Sequence, residues 1–290
     1  MFFCFGSPRS GTTLISQSIG AHPDIVVPAE TDFIIPAAFI YDRIRDPEVR
    51  RPILQTLITQ SAAFPRSLGE YLSAGDIGAI IAAHDALPDL IDAIYAALAH
   101  KAGAGLAGDK SPNDLNFIRI LDKTKALPPS ARVIHIVRDV RDVVAAVAVR
   151  RMWPGIETQF ARMWSASNLY LHTWLKHDPR YLLVKYEDFV AAPRAEITRM
   201  LAHLGHSYAD ATLDPAQRHP RLKHTPSHEM LYEPIAVSRV GAYRDACSPE
   251  LIALCETQAR EAMQTFGYQR DLAHVRTSAA SARASANKSR

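Results

Sequence analysis

The 290-residue sequence has little cysteine: Cys4, Cys247 and Cys255 form neither a disulfide framework nor the CxxC spacing of a zinc site. That usage suits a reducing cytosol and argues against structural metal. Net charge is also scarce, with 33 basic against 30 acidic residues for a formal +3, so a general nucleic-acid surface is not expected and any anion site must be local. No stretch reaches the ~18 unbroken apolar residues of a spanning helix. The opening MFFCF lacks the basic n-region and the length of a secretory signal. The expectation is a soluble, cytoplasmic protein without a membrane span. Ligand spacing is missing too, since His22, His84 and His228 fall into no metal-binding pattern.

Apolar content is ample. With 48% hydrophobic residues, a chain of this length can bury one large core, and a single α/β domain is the default. Residues 2 to 5 form a short apolar run closed by Gly-Ser-Pro, the pattern of a buried strand. A helix is expected from near Gly11, with Leu14, Ile15, Ser18 and Ile19 on one face, then a strand at IVV, 25 to 27. That order opens a βαβ unit. From about 36 to 105 the sequence becomes alanine- and isoleucine-rich helix punctuated by proline, which reads as a helical insertion over one sheet edge. RVIHIV, 132 to 137, predicts a core strand, and a helix with acidic first turns follows. YLLVKYEDF, 181 to 189, predicts another strand, and Pro193 and Gly205 bracket a helix. Ser248 and Pro249 supply an N-cap and first-turn proline for a helix reaching Gly267. The last residues, from 271, are small, polar and basic, the composition of a disordered tail. Trp153, Trp164 and Trp174, with Tyr170 and His172, are expected to pack in the core rather than line a pocket.

GSPRSGTTL, Gly6 to Leu14, has the glycine spacing of a Walker phosphate loop, but Thr12 stands where the lysine belongs. A glycine loop between strand and helix still aims backbone N–H groups at an anion. Ser10, Gly11, Thr12 and Thr13 thus form a cradle, and Arg9 supplies a forked cation. A triphosphatase also needs a magnesium carboxylate after a buried strand. The residue following RVIHIV is instead Arg138, which suits a second anionic group, although Asp139 beside it, or Asp109, keeps an ATP-dependent kinase reading open. Arg138, Asp139, Arg141 and Asp142 could equally be a solvated helix terminus.

These segments together resemble the sulfotransferases that use 3′-phosphoadenosine 5′-phosphosulfate (PAPS) as donor. GSPRSGTTL is similar to their 5′-phosphosulfate loop, VIHIVRDVRDVV to their 3′-phosphate segment, KYEDF to another recurrent stretch, and SRVGAYRDACSPELI to their C-terminal module. The pattern is most similar to tyrosylprotein sulfotransferases and related bacterial enzymes. The resemblance implies an α/β fold with a P-loop-like central parallel sheet flanked by helices, the insertion covering the acceptor site. It also implies PAPS as cosubstrate, no metal, and a hydroxyl-bearing acceptor that could be carbohydrate, lipid, phenol or peptide.

The resemblance implies roles as well. Glu30, in HPDIVVPAETDF, falls on the family's catalytic glutamate, the general base; read alone, it could cap a helix starting around Thr31 to Phe33. Lys110, in GDKSPNDL, falls beside the transferring sulfuryl group, although the residues alone also suit a surface turn. Ser238 matches an active-site serine. Arg9 and Lys110 would stabilise the transferring group; Ser10, Gly11, Thr12 and Thr13 would hold the 5′-phosphate; Arg138, Arg239 and Tyr186 would form the 3′-phosphate and nucleotide site. One departure stands out: Ala146 replaces the usual serine of the 3′-phosphate segment, leaving Arg141, Arg239 or a backbone amide to compensate. Besides the kinase, a non-catalytic nucleotide-binding relative is the remaining alternative.

Overall fold

The computed structural model describes residues 1–149, 155–218 and 231–271. The sheet is built on β1 (Phe2–Gly6), whose residues are all buried because it is the middle strand. In chain order follow α1 (Thr12–Gly20), β2 (Ile25–Val26), α2 (Ile34–Arg43), α3 (Pro47–Thr59), α4 (Ala74–Ala83), α5 (Leu87–Ala102), β3 (Leu106–Asp109), α6 (Ile118–Lys123), β4 (Arg132–Val137) and α7 (Val140–Val149). Then come α8 (Glu157–Leu175), β5 (Tyr181–Lys185), α9 (Tyr186–Ala191), α10 (Pro193–Leu204), α11 (Tyr243–Ala246), α12 (Pro249–Gln258) and α13 (Arg260–Thr265). The five strands lie in the order β2-β3-β1-β4-β5, every described pair parallel. This is the expected α/β fold with a central parallel sheet flanked by helices.

Parallel strands need coverage on both faces, and the alternation in β1 supplies it. Phe3 and Phe5 face a core shared with α2 to α5, including Ile34, Leu54, Ile77, Leu90 and Ile94. Phe2 and Cys4 face the opposite way, onto Ile15 and Ile19 of α1 and Ile197, Met200 and Leu201 of α10. A third cluster joins α7 and α8 to α12 and α13 around Trp164 and Phe266.

Three local expectations differ from the structure, and one strand was not expected at all. β2 pairs with β3 rather than β1, so the opening unit crosses over a strand position that the chain fills later. That strand, β3, carries no alternating pattern: its Gly108 is required because a Cβ there would overlap the Phe2 ring. The strand predicted to 189 stops at Lys185; Tyr186 opens α9, with Glu187 and Asp188 favourably placed in its first turn. The C-terminal helix is broken at Ala259 into α12 and α13, although Ser248 does cap it, accepting from the Leu251 N–H. Trp153, His228 and the tail beyond 271 lie outside the described residues.

Candidate active site

Except for Ser238 and Arg239, every candidate side chain follows the C-terminal end of a strand, the edge of a parallel α/β sheet where ligands gather. The loop after β1 turns through two left-handed residues, Arg9 at φ 70° and Gly11 at φ 83°. Glycine is needed at 11 on two counts, since a Cβ there would be both strained and driven into the Tyr186 ring. At Gly6 a Cβ would come within 2.6 Å of Thr12 and 2.7 Å of the Ile136 carbonyl, so the loop lies flush on β4. α1 then begins at Thr12 with no acidic residue in its first turn. Its leading N–H groups have no intrahelical acceptor and face a field that favours an anion. Ser10 is fully buried, and its Oγ has no hydrogen-bond partner among the described residues, a donor that fits an anionic ligand.

Arg138 leaves β4 directly into this loop. Its guanidinium donates to the carbonyls of Arg9 (3.1 Å) and Arg239 (2.7 Å) and stacks 4.5 Å from the centre of the Tyr186 ring. Its nearest carboxylate, Asp142, is 3.8 Å away and is itself engaged, accepting from the N–H groups of Gly241 (2.8 Å) and Tyr243 (2.9 Å). Asp142 therefore ties the segment bearing Ser238 and Arg239 to α7. Both residues sit in an exposed 3-10 turn, Val237–Arg239.

Arg141 has a different fate. It donates to Asp139 Oδ2 and to Glu256 Oε1, both at 2.7 Å, within a buried ion triad. It is committed to the fold and does not take over from the serine missing at Ala146. Asp139 is thereby occupied as well.

On the other side of β1, Lys110 follows β3. Its side chain is 4% exposed, and Nζ lies 2.6 Å from Glu30 Oε1, so it is no surface turn lysine. Glu30 caps no helix, because α2 starts only at Ile34 with Phe33 at its N-cap. Asp109 is buried among hydroxyls, accepting from Thr31 at 2.8 Å and from Tyr95 and Ser111. Asp114 is also buried, and its Oδ2 has no partner among the described residues. Burial first, then Asp109, Asp32 and Glu30, pushes the Asp114 carboxyl well above the usual range. Among the described residues no group of three or more His, Cys, Asp or Glu is placed to hold a metal.

The structure thus brings Glu30 and Lys110 into contact, and gathers Arg9, Gly11, Arg138, Tyr186 and the Arg239 backbone into a second cluster across β1. The residues alone did not point to Thr31, Tyr95 or Asp114, nor to a support behind the loop. There, His135 bonds to the Tyr181 hydroxyl (2.7 Å) and to Asn168 Oδ1 (2.8 Å), while Asn168 Nδ2 donates to Ser7 Oγ (3.1 Å) and the Trp164 carbonyl (2.7 Å). Adjacency to Glu30 and Lys110 was the available signal for Thr31 and Asp109; Tyr95 looked like any apolar-stripe residue of α5. Trp164 packs in the third cluster, Trp174 and Tyr170 pack against the cluster around Phe3 and Phe5, and His172 bonds to Tyr181.

A family model described as the sulfotransferase family matches residues 2–210, which takes in Glu30, Lys110, Arg138 and Tyr186 but stops short of Ser238 and Arg239. Among solved structures, the sulfotransferase domain from the Synechococcus PCC 7002 olefin synthase is 26% identical with a TM-score of 0.62, over 89% of this chain and 94% of that one. The sulfotransferase domain from the curacin biosynthetic pathway is 18% identical with a TM-score of 0.65, over 93% of this chain and 98% of that one. A search of curated proteins found no match. No helix among the described residues is long and apolar enough to cross a membrane.

Proposed function

We propose that this chain, which belongs to the sulfotransferase family, transfers a sulfuryl group from PAPS to a hydroxyl of its acceptor and releases adenosine 3′,5′-bisphosphate. Family and fold support an enzyme of sulfuryl transfer in general; the donor and the hydroxyl acceptor are the finer reading. The observation that carries it is the 2.6 Å contact between Glu30 and the buried Lys110, one strand away from the phosphate loop. A carboxylate and a cation in contact there support a site where a transfer can be both started and neutralised.

In this reading Glu30 takes the proton of the acceptor hydroxyl, whose oxygen forms the new bond to sulfur as the bond from sulfur to the nucleotide phosphate oxygen breaks. Lys110 and Arg9 balance charge on the sulfuryl oxygens and the departing phosphate. Ser10, Gly11, Thr12 and Thr13 hold the 5′-phosphate, the orphaned Ser10 hydroxyl finding its partner there. Arg138, Tyr186 and Arg239 hold the 3′-phosphate and nucleotide, and Ser238 completes the site from its neighbouring turn. One domain reaching to about 270 would carry all of this, with the helices of about 36–105 covering the acceptor. The kinase alternative needs a magnesium carboxylate, and both candidates are engaged: Asp139 with Arg141, Asp109 with three hydroxyls.

Thermal shift tests the reading. Adenosine 3′,5′-bisphosphate should raise the melting temperature with or without EDTA, whereas ATP with Mg²⁺ should not; the reverse pattern returns the kinase. Turnover of PAPS with p-nitrophenol, then with carbohydrate, lipid and peptide hydroxyls, separates an enzyme from a nucleotide binder.

A further inference from the structure

Glu30 and Lys110 belong to segments that leave different strands, and neither segment is regular where it carries them. From 27 to 33 there is no helix or strand, and Asp32 within it is left-handed, at φ 53°. A side chain on such a stretch is placed only as well as the stretch is anchored. The anchor lies one residue on. Thr31 Oγ1 donates to Asp109 Oδ1 at 2.8 Å, directly beside the 2.6 Å contact between Glu30 and Lys110. Residues 30 and 31 are thus joined to residues 110 and 109 by two neighbouring side-chain rungs.

Tyr95 of α5 locks the inner rung. Its hydroxyl donates to the same Asp109 oxygen and lies 3.2 Å from Thr31 Oγ1, and Ser111 Oγ adds a longer contact at 3.4 Å. Thr31, Tyr95 and Asp109 are each at most 2% exposed. Each hydroxyl has a single proton, and one carboxylate oxygen accepts from both Thr31 and Tyr95. Asp109 is therefore the hub, and losing either hydroxyl leaves a buried acceptor underserved.

We infer that Thr31, Tyr95 and Asp109 form a positioning clamp that sets the distance and orientation of the Glu30–Lys110 pair. None of the three is a catalytic residue: they act through the backbone neighbours they hold. The role of the pair in transfer rests on the function proposed above, whereas the clamp is a property of the free protein and can be measured without turnover.

The test compares Thr31→Val, which keeps the shape and removes the hydroxyl, with Thr31→Ser, which restores it; Tyr95→Phe serves as an independent break. The first readout is the acylation rate of Lys110 by an N-hydroxysuccinimide ester, followed by mass spectrometry against the exposed Lys176. Thr31→Val and Tyr95→Phe should raise Lys110 labelling several-fold and leave Lys176 unchanged, and Thr31→Ser should match wild type. The second readout is kinetic: kcat should fall roughly 10–100-fold, the scale of a misplaced catalytic group, with affinity for adenosine 3′,5′-bisphosphate unchanged and activity recovered in Thr31→Ser. Unaltered Lys110 labelling in Thr31→Val overturns the clamp. So does labelling that rises equally at Lys176, which marks general loosening. If wild type turns over no PAPS, the functional reading fails while the labelling still decides the clamp.

Discussion

β3 and β4 flank the same central strand, and each delivers a cation from its C-terminal end, yet the two cations are held by opposite kinds of partner. Arg138 is held by two backbone carbonyls and an aromatic face, all neutral. Asp142 stands off at 3.8 Å and is itself bonded to two backbone N–H groups, so the Arg138 charge is directed by the fold and only partly offset. Lys110 is held by a carboxylate at 2.6 Å, and its charge is matched until something intervenes. A cation kept by neutral dipoles suits permanent anion binding; a matched pair suits a step in which a proton arrives on the carboxylate and the lysine is released to face new negative charge. Under the proposed function, the sheet separates anion binding from proton transfer by one strand. Arg141 sharpens the contrast, since three residues past Arg138 the same side chain is consumed by Asp139 and Glu256.

The largest effect should come from breaking the matched pair. Glu30→Gln removes the proton acceptor and keeps the volume, and kcat should fall by about 10²–10⁴, the usual contribution of a general base. Affinity for adenosine 3′,5′-bisphosphate should hardly change. A variant that retains more than about a tenth of wild-type kcat removes Glu30 from the proton-transfer role. Arg138→Ala should do the converse, weakening the bisphosphate roughly 10–100-fold through lost charge-assisted hydrogen bonds. Isothermal titration decides this, and unchanged affinity would show that Arg138 serves only to tie the Arg9 and Arg239 carbonyls together.

The two halves also differ in how far the sequence disclosed them. β1, α1, β4 and α10 were legible because short apolar runs and glycine or proline punctuation act locally. The loop after β1 was legible for the same reason, as its geometry is fixed by Gly6, Gly11 and the start of a helix within a few residues. The Glu30–Lys110 side was not. Glu30 and Lys110 are 80 residues apart, and the chemistry of neither residue alone separates a matched pair from a helix cap and a turn lysine. Only the family resemblance pointed to them. β3, which delivers Lys110, is four residues long and includes a glycine, so it offers no period to read. The difference between Arg138 and Arg141 was likewise hidden: both follow one strand, and the partner that claims Arg141, Glu256, comes from α12, 115 residues on. Burial and partner choice are tertiary facts, and a single sequence reports them only where neighbours in the chain are also neighbours in space.

The smallest effect tests whether the half that carries the glycine loop depends on neutral support throughout. His135 lies in β4 with both ring nitrogens bonded, and Asn168 carries the connection to Ser7 of the loop. Asn168 donates through Nδ2 to Ser7 and Trp164, so its Oδ1 accepts from the His135 Nε2–H, and the Tyr181 hydroxyl must then donate to Nδ1. A proton added to this ring would turn the Tyr181 hydroxyl from donor to acceptor and leave a charge in a fully buried site. Burial first of all, with His172 adding to it, lowers the His135 pKa from 6.5 to about 3, while the bond to Asn168 opposes the shift. The unfolded chain therefore binds a proton below about 6.5 that the folded protein refuses until about 3. The stability this group supports is complete above the unfolded value and declines as the pH falls toward the folded one, by about 1.4 kcal/mol per pH unit. Urea unfolding of wild type and His135→Gln at pH 7.5 and 5.5 isolates the term, because the other histidines cancel in the difference. The variant should be less stable at pH 7.5 and lose about 1 kcal/mol less than wild type on acidification. Equal losses would mean that the ring accepts its proton in the folded state, and that the loop rests on a charged support after all.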